Sequence, residues 1–249
     1  MRGTETQTAT ELSEGVWWLD LGSVNCYVVE DGDELVLVDA GMPWNATDIR
    51  DGIRDTGHTV RDVSRVLVTH FDLDHVGALS KLGLDAPVYV GREDAYVLAG
   101  ERRPTWQNHK GLLQRVATTF VATPDLPIRL VDDGDEIGSF TAYHTPGHSP
   151  GHVVYVAQNP SVALLGDLVA ESDGALEPTA KIIDYDYREL KASILDLADR
   201  APDFAVAAMG HGTPFVRRGG ERLQEVAARI DVSSKAPRPP RRPTAATDR

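Results

Sequence analysis

A dense cluster of potential metal ligands occupies the segment His70 to His75, which reads His-Phe-Asp-Leu-Asp-His. Two histidines and two aspartates fall within six residues, directly after the apolar run Val66-Leu67-Val68. A loop at the end of a buried strand can turn such side chains toward a common point. Imidazole and carboxylate groups bind Zn, Mn and Fe, so the cluster predicts a metal site richer in oxygen than a Cys/His zinc finger. The alternative is a solvated turn with incidental charges.

Three further segments each offer one candidate ligand after a predicted strand. His148 lies in a loop fixed by glycine and proline on both sides, Asp167 follows a glycine, and His211 lies between two glycines. The Gly-Asp pair is weak evidence alone, whereas Gly-His-Gly is more specific. Four strand ends thus supply seven candidates: His70, Asp72, Asp74, His75, His148, Asp167 and His211. Seven ligands are too many for one zinc ion and suit two metal ions.

Two other histidines, His144 and His152, flank the loop that carries His148. A histidine beside a metal loop can form hydrogen bonds or line the pocket without binding the ion. Both are therefore weaker ligand candidates than His148.

The elements that must position these residues are short, β-rich runs separated by Gly and Asp turns. Strands are predicted over 16–21, 26–30, 35–39, 65–69, 87–90, 128–131, 139–144, 153–157, 162–165 and 204–208. Helices are predicted over 45–56, 76–82, 187–200 and 221–230. Strands in runs, interleaved with helices, predict sheets covered by helices on their outer faces.

The chain divides into three parts by composition. Residues 1–14 are polar and predict a flexible leader, residues 15–231 form one predicted domain, and proline among Ser, Arg and Thr predicts a disordered tail at 232–249. Within the domain, residues 91–126 interrupt the regular succession of predicted strands. Helices near 92–99 and 112–120 indicate a helical insertion over the domain.

Composition restricts the class of protein. The 249 residues are 41% hydrophobic, and 38 acidic against 25 basic residues give a net charge of -13, which argues against a nucleic-acid partner. Cys26 is the sole cysteine and lies in an apolar run, so it predicts a buried strand thiol and no internal disulfide. The sequence shows neither a signal-peptide core nor an apolar run of about 20 residues, which favours a cytoplasmic protein outside the membrane.

The order of these motifs resembles the metallo-beta-lactamase superfamily. Its usual signature is Thr-His-x-His-x-Asp-His, then a histidine in a Thr-Pro-Gly-His loop, an aspartate in a Gly-Asp after a strand, and a Gly-His-Gly near the end. The matching segments here are 69–75, 145–148, 166–167 and 210–212, and the resemblance runs from about Val16 to Phe215. It implies an α/β (α+β) fold, the four-layer αββα sandwich, with the site at one edge where the two sheets meet.

The resemblance also implies a ligand set, in which His70, Asp72 and His148 bind a first metal ion, Asp74, His75 and His211 bind a second, and Asp167 bridges them. Asp74 would orient the attacking water and accept or pass on its proton as the catalytic residue. Asp39 matches the buried aspartate that supports the site in this superfamily. From the residues alone, a turn aspartate after a strand is an equal interpretation.

Asp72 departs from the usual pattern, because most members have histidine there. A carboxylate adds a hard donor, which favours Mn or Fe relative to Zn, or weakens the first site so that one ion is held. Diiron members of the superfamily also carry an acidic residue at this position. We expect two divalent ions as cofactors, with zinc favoured and manganese or iron as alternatives.

The implied activity is a metal-dependent hydrolase that acts on a small ester, thioester or lactone, in the manner of glyoxalase II and the lactonases. The fold alone does not select the substrate. Three alternatives stay open: a phosphodiesterase or nuclease, a mononuclear iron oxidoreductase resembling the persulfide dioxygenases with His70, His148 and Asp167 as ligands, and a binding domain without activity. Candidate contacts to a small-molecule substrate are Trp106, His109, Lys181, Tyr185 and Tyr187.

Overall fold

The structure is a computed structural model that describes residues 8–103 and 124–230. Its strands are β1 Ala9–Ser13, β2 Val16–Asp20, β3 Asn25–Asp31, β4 Glu34–Val38, β5 Val63–Val68, β6 Val88–Gly91, β7 Ile128–Val131, β8 Glu136–Ile137, β9 Phe140–His144, β10 Val153–Gln158, β11 Ser161–Gly166, β12 Val169–Ser172, β13 Ala175–Pro178 and β14 Val206–Met209. Its α-helices are α1 Ala46–Asp55, α2 Leu73–Val76, α3 Leu79–Leu82, α4 Arg92–Leu98, α5 Tyr187–Arg200 and α6 Gly219–Arg229. Short 3-10 helices cover Val60–Asp62 and Lys181–Ile183.

Two sheets form the centre of the molecule. The first has seven strands in the order β1 to β7, antiparallel up to β4 and parallel from β4 to β7. The second has the order β14-β11-β10-β9-β8, in which β11 and β14 are parallel. Strands β12 and β13 form a separate hairpin. Parallel pairing places the carboxyl ends of β4 and β5 at one edge of the first sheet, and those of β11 and β14 at one edge of the second.

The helices and sheets form layers because strands in the middle of the molecule are buried on both faces. Along β10, Val153, Tyr155 and Ala157 face the first sheet, whereas Val154 and Val156 face α5 and α6. Apolar residues on alternating positions therefore supply two cores from one strand. A third core lies between the first sheet and helices α1, α3 and α4. The order helix, sheet, sheet, helix confirms the predicted αββα sandwich.

Several predicted elements are confirmed with small changes of boundary. The strands predicted over 26–30 and 35–39 are β3 and β4, which pair as a hairpin around Gly32, and the helix at 187–200 has the predicted limits. Cys26 is a buried thiol on β3. The single helix predicted over 76–82 is instead two short helices, because the chain from Leu73 is already helical and breaks at Gly77 and Ala78.

Two expectations about the leader and the insertion need correction. The predicted flexible leader at 1–14 is wrong for Ala9–Ser13, which pairs with β2 as an edge strand and buries only one alanine fully. The predicted insertion at 91–126 is wrong for its first helix, because α4 follows β6 without a break and packs Ala95 and Leu98 into the core. The helix predicted near 112–120 and the tail at 232–249 lie outside the described residues. No helix in the described part of the chain is long and apolar enough to cross a membrane.

Candidate metal centre

All seven predicted ligands lie at one edge of the sandwich. His70 and Asp72 follow β5, and the one-turn helix α2 then carries Asp74 and His75. On the other sheet, the loop between β9 and β10 carries His148, Asp167 follows β11 and His211 follows β14. The parallel pairs β4–β5 and β11–β14 end at this edge, so each sheet delivers its side chains to the same cleft.

One group of donors consists of His70, Asp72 and His148. Asp72 Oδ2 lies 3.5 Å from Nε2 of His70 and 3.2 Å from Nε2 of His148. Both imidazoles are buried, and the ligand atoms of the three side chains lie within 4.8 Å of one another. This spacing could hold a metal ion, and we name these three residues the first group.

A second group consists of Asp74, His75 and His211. Asp74 Oδ2 lies 4.0 Å from Nε2 of His75 and 3.5 Å from Nε2 of His211. Their ligand atoms also lie within 4.8 Å of one another. The second group is more open than the first, because the side chains of Asp74 and His211 are 26% and 30% exposed.

Asp167 lies between the two groups. Its Oδ2 is 3.4 Å from Nε2 of His148 and 3.2 Å from Nε2 of His211, and its Oδ1 is 3.5 Å from Nε2 of His75. The carboxylate therefore faces both groups at once.

The donor chemistry of the cleft fits divalent metal ions. Four imidazoles and three carboxylates are ligands of Zn, Mn and Fe. Nε2 of His70, Nε2 of His75 and Oδ1 of Asp167 are buried without a hydrogen-bond partner. Leaving such a polar atom buried and unsatisfied costs about 1–3 kcal/mol, and coordination of a metal ion would remove that cost.

The imidazoles are held with Nε2 toward the cleft, because Nδ1 of each is engaged on the other side. His75 Nδ1 donates to Asp39 Oδ2 at 2.8 Å, His148 Nδ1 donates to Asp184 Oδ1 at 2.8 Å, and His211 Nδ1 donates to the Ser23 carbonyl at 2.6 Å. Such contacts fix the tautomer and the ring orientation of histidines that bind metals.

Asp39 follows β4 and is hydrogen-bonded to the segment after β5 that carries four of the seven candidate ligands. Its Oδ1 accepts from the Thr69 backbone N–H and its Oδ2 from the Thr69 hydroxyl, each at 2.8 Å. The Thr69 hydroxyl in turn accepts from Nδ1 of His70 at 3.0 Å. Asp39 is buried and has a positive φ of 59°, and its hydrogen bonds fit the supporting carboxylate that the resemblance implies.

The glycines beside His211 allow a close approach of backbone to the cleft. A Cβ on Gly210 would lie 2.1 Å from Asp167 Oδ1 and 2.7 Å from Cε1 of His75. The turn is also anchored from β3, where the Asn25 amide donates to the carbonyls of Met209 and Gly212. Gly210 is therefore needed for packing, whereas Gly212 has a positive φ of 82°, a conformation that favours glycine.

A comparison with known families agrees with this geometry. The sequence profile of the metallo-beta-lactamase superfamily matches residues 19–211. The chain belongs to the metallo-beta-lactamase superfamily. It is accordingly an enzyme of a hydrolase superfamily that uses divalent metal ions, often in pairs.

Relatives extend over nearly the whole length of this metallo-beta-lactamase superfamily member. YobT of Bacillus subtilis is 29% identical over 90% of this chain and 97% of its own. The probable metallo-hydrolase YflN of the same bacterium is 26% identical over 88% of this chain and 92% of its own. The crystal structure of TTHA1623 in a di-iron-bound form matches with a TM-score of 0.59 at 29% identity, and covers 80% of this chain and 91% of that one.

The electrostatics of this cleft favour the binding of cations. Burial disfavours charge on His75, but neighbouring carboxylates, led by Asp167, outweigh burial and raise its pKa to about 10. Burial and then the nearby His75 lower the pKa of His70 to about 4. Burial opposes ionisation of Asp167 too, yet the adjacent histidines hold its pKa well below the usual range. Three carboxylates in one cleft give it a negative potential that attracts cations.

The two weaker histidine candidates are hydrogen-bonding residues. His152 Nε2 accepts from the Asp167 backbone N–H at 3.1 Å, and its Nδ1 donates to the Thr145 hydroxyl at 2.8 Å. His152 thereby holds the start of the Asp167 turn. His144 is exposed and contacts the Pro150 carbonyl at 2.9 Å.

Two buried aspartates escaped the sequence analysis. Asp184 accepts a hydrogen bond from His148 Nδ1. The chain around Asp184 is held in place by Asp186, which caps α5 and donates its backbone N–H to the Gly147 carbonyl at 2.9 Å. Asp94, in the first turn of α4, contacts the loops on either side of the first group. Neither lies in a motif. An acidic residue near the start of a helix is common for electrostatic reasons alone, so no sequence signal distinguishes them.

Three of the five predicted substrate contacts, Lys181, Tyr185 and Tyr187, lie in the described part of the chain. Trp106 and His109 lie outside the described residues. Tyr185 donates its backbone N–H to the His148 carbonyl at 3.3 Å, which places it beside the first group. Lys181 is exposed, and Tyr187 packs against the core under α5.

Proposed function

We propose that this enzyme is a dinuclear metallo-hydrolase that cleaves a small carboxylic ester, thioester or lactone. His70, Asp72 and His148 would hold one ion, Asp74, His75 and His211 would hold the other, and Asp167 would bridge them. The observation that carries the proposal is the position of the Asp167 carboxylate, which faces both donor groups within 3.5 Å of one imidazole in the first and two in the second.

The metal ligands and Asp74 have different roles in the proposed reaction. Divalent ions held by these residues would supply an activated water, with its pKa lowered toward about 7, and would polarise the oxygen of the scissile bond. Asp74 is partly exposed at the open side of the cleft, where it orients the attacking water and accepts its proton. Ser149 is fully buried and donates its hydroxyl to the buried Asp94 carboxylate, so it is not placed to attack a substrate in the cleft as a nucleophile.

A small, uncharged acyl substrate fits the charge of the protein. The net charge of -13 repels a polyanion such as nucleic acid. The name of YflN, probable metallo-hydrolase, supports hydrolysis without naming a substrate. Ester, thioester and lactone carbonyls share the same attack by a metal-activated water, which is why we group them.

Zinc is the metal that we expect first. Asp72 makes the first group more oxygen-rich and supports manganese or iron as alternatives. TTHA1623, a structural relative, is known in a di-iron-bound form, which supports iron as an alternative here. Metal identity is therefore part of the test.

The decisive experiment combines elemental analysis with activity assays. Protein purified without added metal is analysed for Zn, Mn and Fe and then assayed on a thioester, a lactone and bis(p-nitrophenyl) phosphate. We expect two ions per chain and turnover of an acyl substrate. His75→Ala and Asp167→Ala should each abolish activity and lower bound metal, whereas the control His144→Ala should do neither.

Other outcomes select the alternatives. Cleavage of the phosphodiester alone would identify a phosphodiesterase. Stoichiometric iron with oxygen consumption would identify a mononuclear oxidoreductase with His70, His148 and Asp167 as ligands. Full activity in His75→Ala or Asp167→Ala would refute the ligand assignment.

A further inference from the structure

Asp94 is a buried carboxylate that the proposed chemistry does not use. It lies in the first turn of α4 and is 1% exposed. Its Oδ2 accepts from the Ser149 hydroxyl at 2.5 Å and from the Phe71 backbone N–H at 3.2 Å. Its Oδ1 accepts from the Gly151 backbone N–H at 2.7 Å. Three donors thus converge on one side chain.

These donors belong to the two loops that carry the first group. Phe71 lies between His70 and Asp72 in the chain, and Ser149 follows His148 directly. Asp94 is therefore linked to both sides of the first group through the neighbouring residues. The imidazoles of the second group are held by other contacts, to Asp39 and to the Ser23 carbonyl.

Close packing leaves little freedom in this arrangement. A Cβ on Gly151 would lie 2.4 Å from the Asp94 backbone N and 2.6 Å from Asp94 Oδ1. A Cβ on Gly91 would lie 1.9 Å from the Gly151 carbonyl oxygen. The loop that carries His148 therefore rests directly on the start of α4, with the Asp94 carboxylate at the contact.

Asp94 is a carboxylate although its burial makes ionisation unfavourable. Burial raises the pKa of Asp94 to about 7, so the ionised form is disfavoured at this position. An apolar residue would avoid that cost. It would also leave three buried donors unsatisfied, and an amide has only one acceptor oxygen for them. The need for acceptors at both oxygens explains an aspartate here.

We propose that Asp94 is a positioning residue that sets His148 against His70 and Asp72 and thereby controls the affinity of the first metal site. This inference rests on the proposed dinuclear centre. It separates the two sites, because Asp94 supports the first group and not the second.

The test compares Asp94→Asn with a matched control, Asp31→Asn. Asp31 is also a largely buried carboxylate, which accepts from Arg65 Nη2 and from the Ser139 N–H, each at 3.1 Å, far from the cleft along β3. Full-length zinc-loaded proteins are dialysed against chelator-buffered zinc, and zinc per chain and melting temperature are measured. Loss of support around metal ligands typically lowers affinity roughly 10- to 100-fold.

We expect wild type and Asp31→Asn to keep two zinc ions at a buffered concentration where Asp94→Asn keeps one. The lost ion is assigned with His211→Ala, which lacks a second-group donor. On that background, Asp94→Asn should remove the remaining zinc. Equal zinc binding in Asp94→Asn and wild type, with a lower melting temperature in both aspartate variants, would show a merely structural role and overturn the inference.

A milder variant tests the same inference if Asp94→Asn does not fold. Ser149→Ala removes one of the three donors and should lower the affinity of the first site alone, by a smaller factor. Unchanged zinc binding in this variant would contradict the inference. Fewer than two zinc ions in the wild type would instead overturn the proposed dinuclear centre itself, so the two failures are distinct.

Discussion

The substitution Asp39→Asn isolates the carboxylate that joins Thr69 and His75. Asparagine tolerates the positive φ of 59° at this position, so the backbone is not strained by the change. The carboxylate accepts three hydrogen bonds, two at Oδ2 and one at Oδ1. In its best orientation the amide keeps the two at Oδ2 and turns its NH₂ group toward the Thr69 N–H.

The expected magnitude follows from that one lost acceptor. A buried donor left unsatisfied costs about 1–3 kcal/mol, which for a chain of this length lowers Tm by about 2–12 °C. Because His75 loses a charged partner at Nδ1, metal affinity should fall roughly 10- to 100-fold.

Thermal denaturation and zinc titration measure the two effects. Asp173→Asn is the matched control, because Asp173 also has a positive φ, of 52°, but lies in the exposed turn between β12 and β13. The control should behave as wild type in both assays. Wild-type zinc affinity and Tm in Asp39→Asn would refute the role that we assign to this carboxylate.

Two further predictions address the histidines of the β9–β10 loop and the unusual ligand. His152→Ala removes the acceptor for the Asp167 N–H and should destabilise the fold by about 1–3 kcal/mol, whereas exposed His144→Ala should change stability by less than about 0.5 kcal/mol; equal losses in denaturant titrations would contradict this assignment. Asp72→His replaces a hard donor with an imidazole and should shift metal content toward zinc in cells grown with zinc, manganese and iron. An unchanged metal ratio by elemental analysis would argue against Asp72 as a ligand.

The parts of the site that could be predicted from the sequence are those encoded locally. The His70–His75 cluster is dense and follows an apolar strand, and glycine marks the close approaches at Asp167 and His211. Alternating or continuous apolar runs likewise predicted most strands and the layered fold. These features can be recognised within short segments of the sequence, without knowing which distant residues they contact.

Other features depend on tertiary contacts. His148 and His152 each follow a Pro-Gly pair, yet only His148 points into the cleft, because His152 bonds to Thr145 and the Asp167 N–H instead. Asp94 and Asp184 acquire their roles from loops distant in sequence. Strand β1 is polar because it is a half-exposed edge strand, so composition indicated a loose leader.

Anomalous diffraction from crystals of the metal-loaded protein tests most directly whether two metal ions share Asp167. We predict two anomalous peaks per chain, one contacted by His70, Asp72 and His148 and the other by Asp74, His75 and His211, with the Asp167 carboxylate between them. A single peak at full metal loading, or two peaks that Asp167 does not join, would contradict a metal pair that shares Asp167.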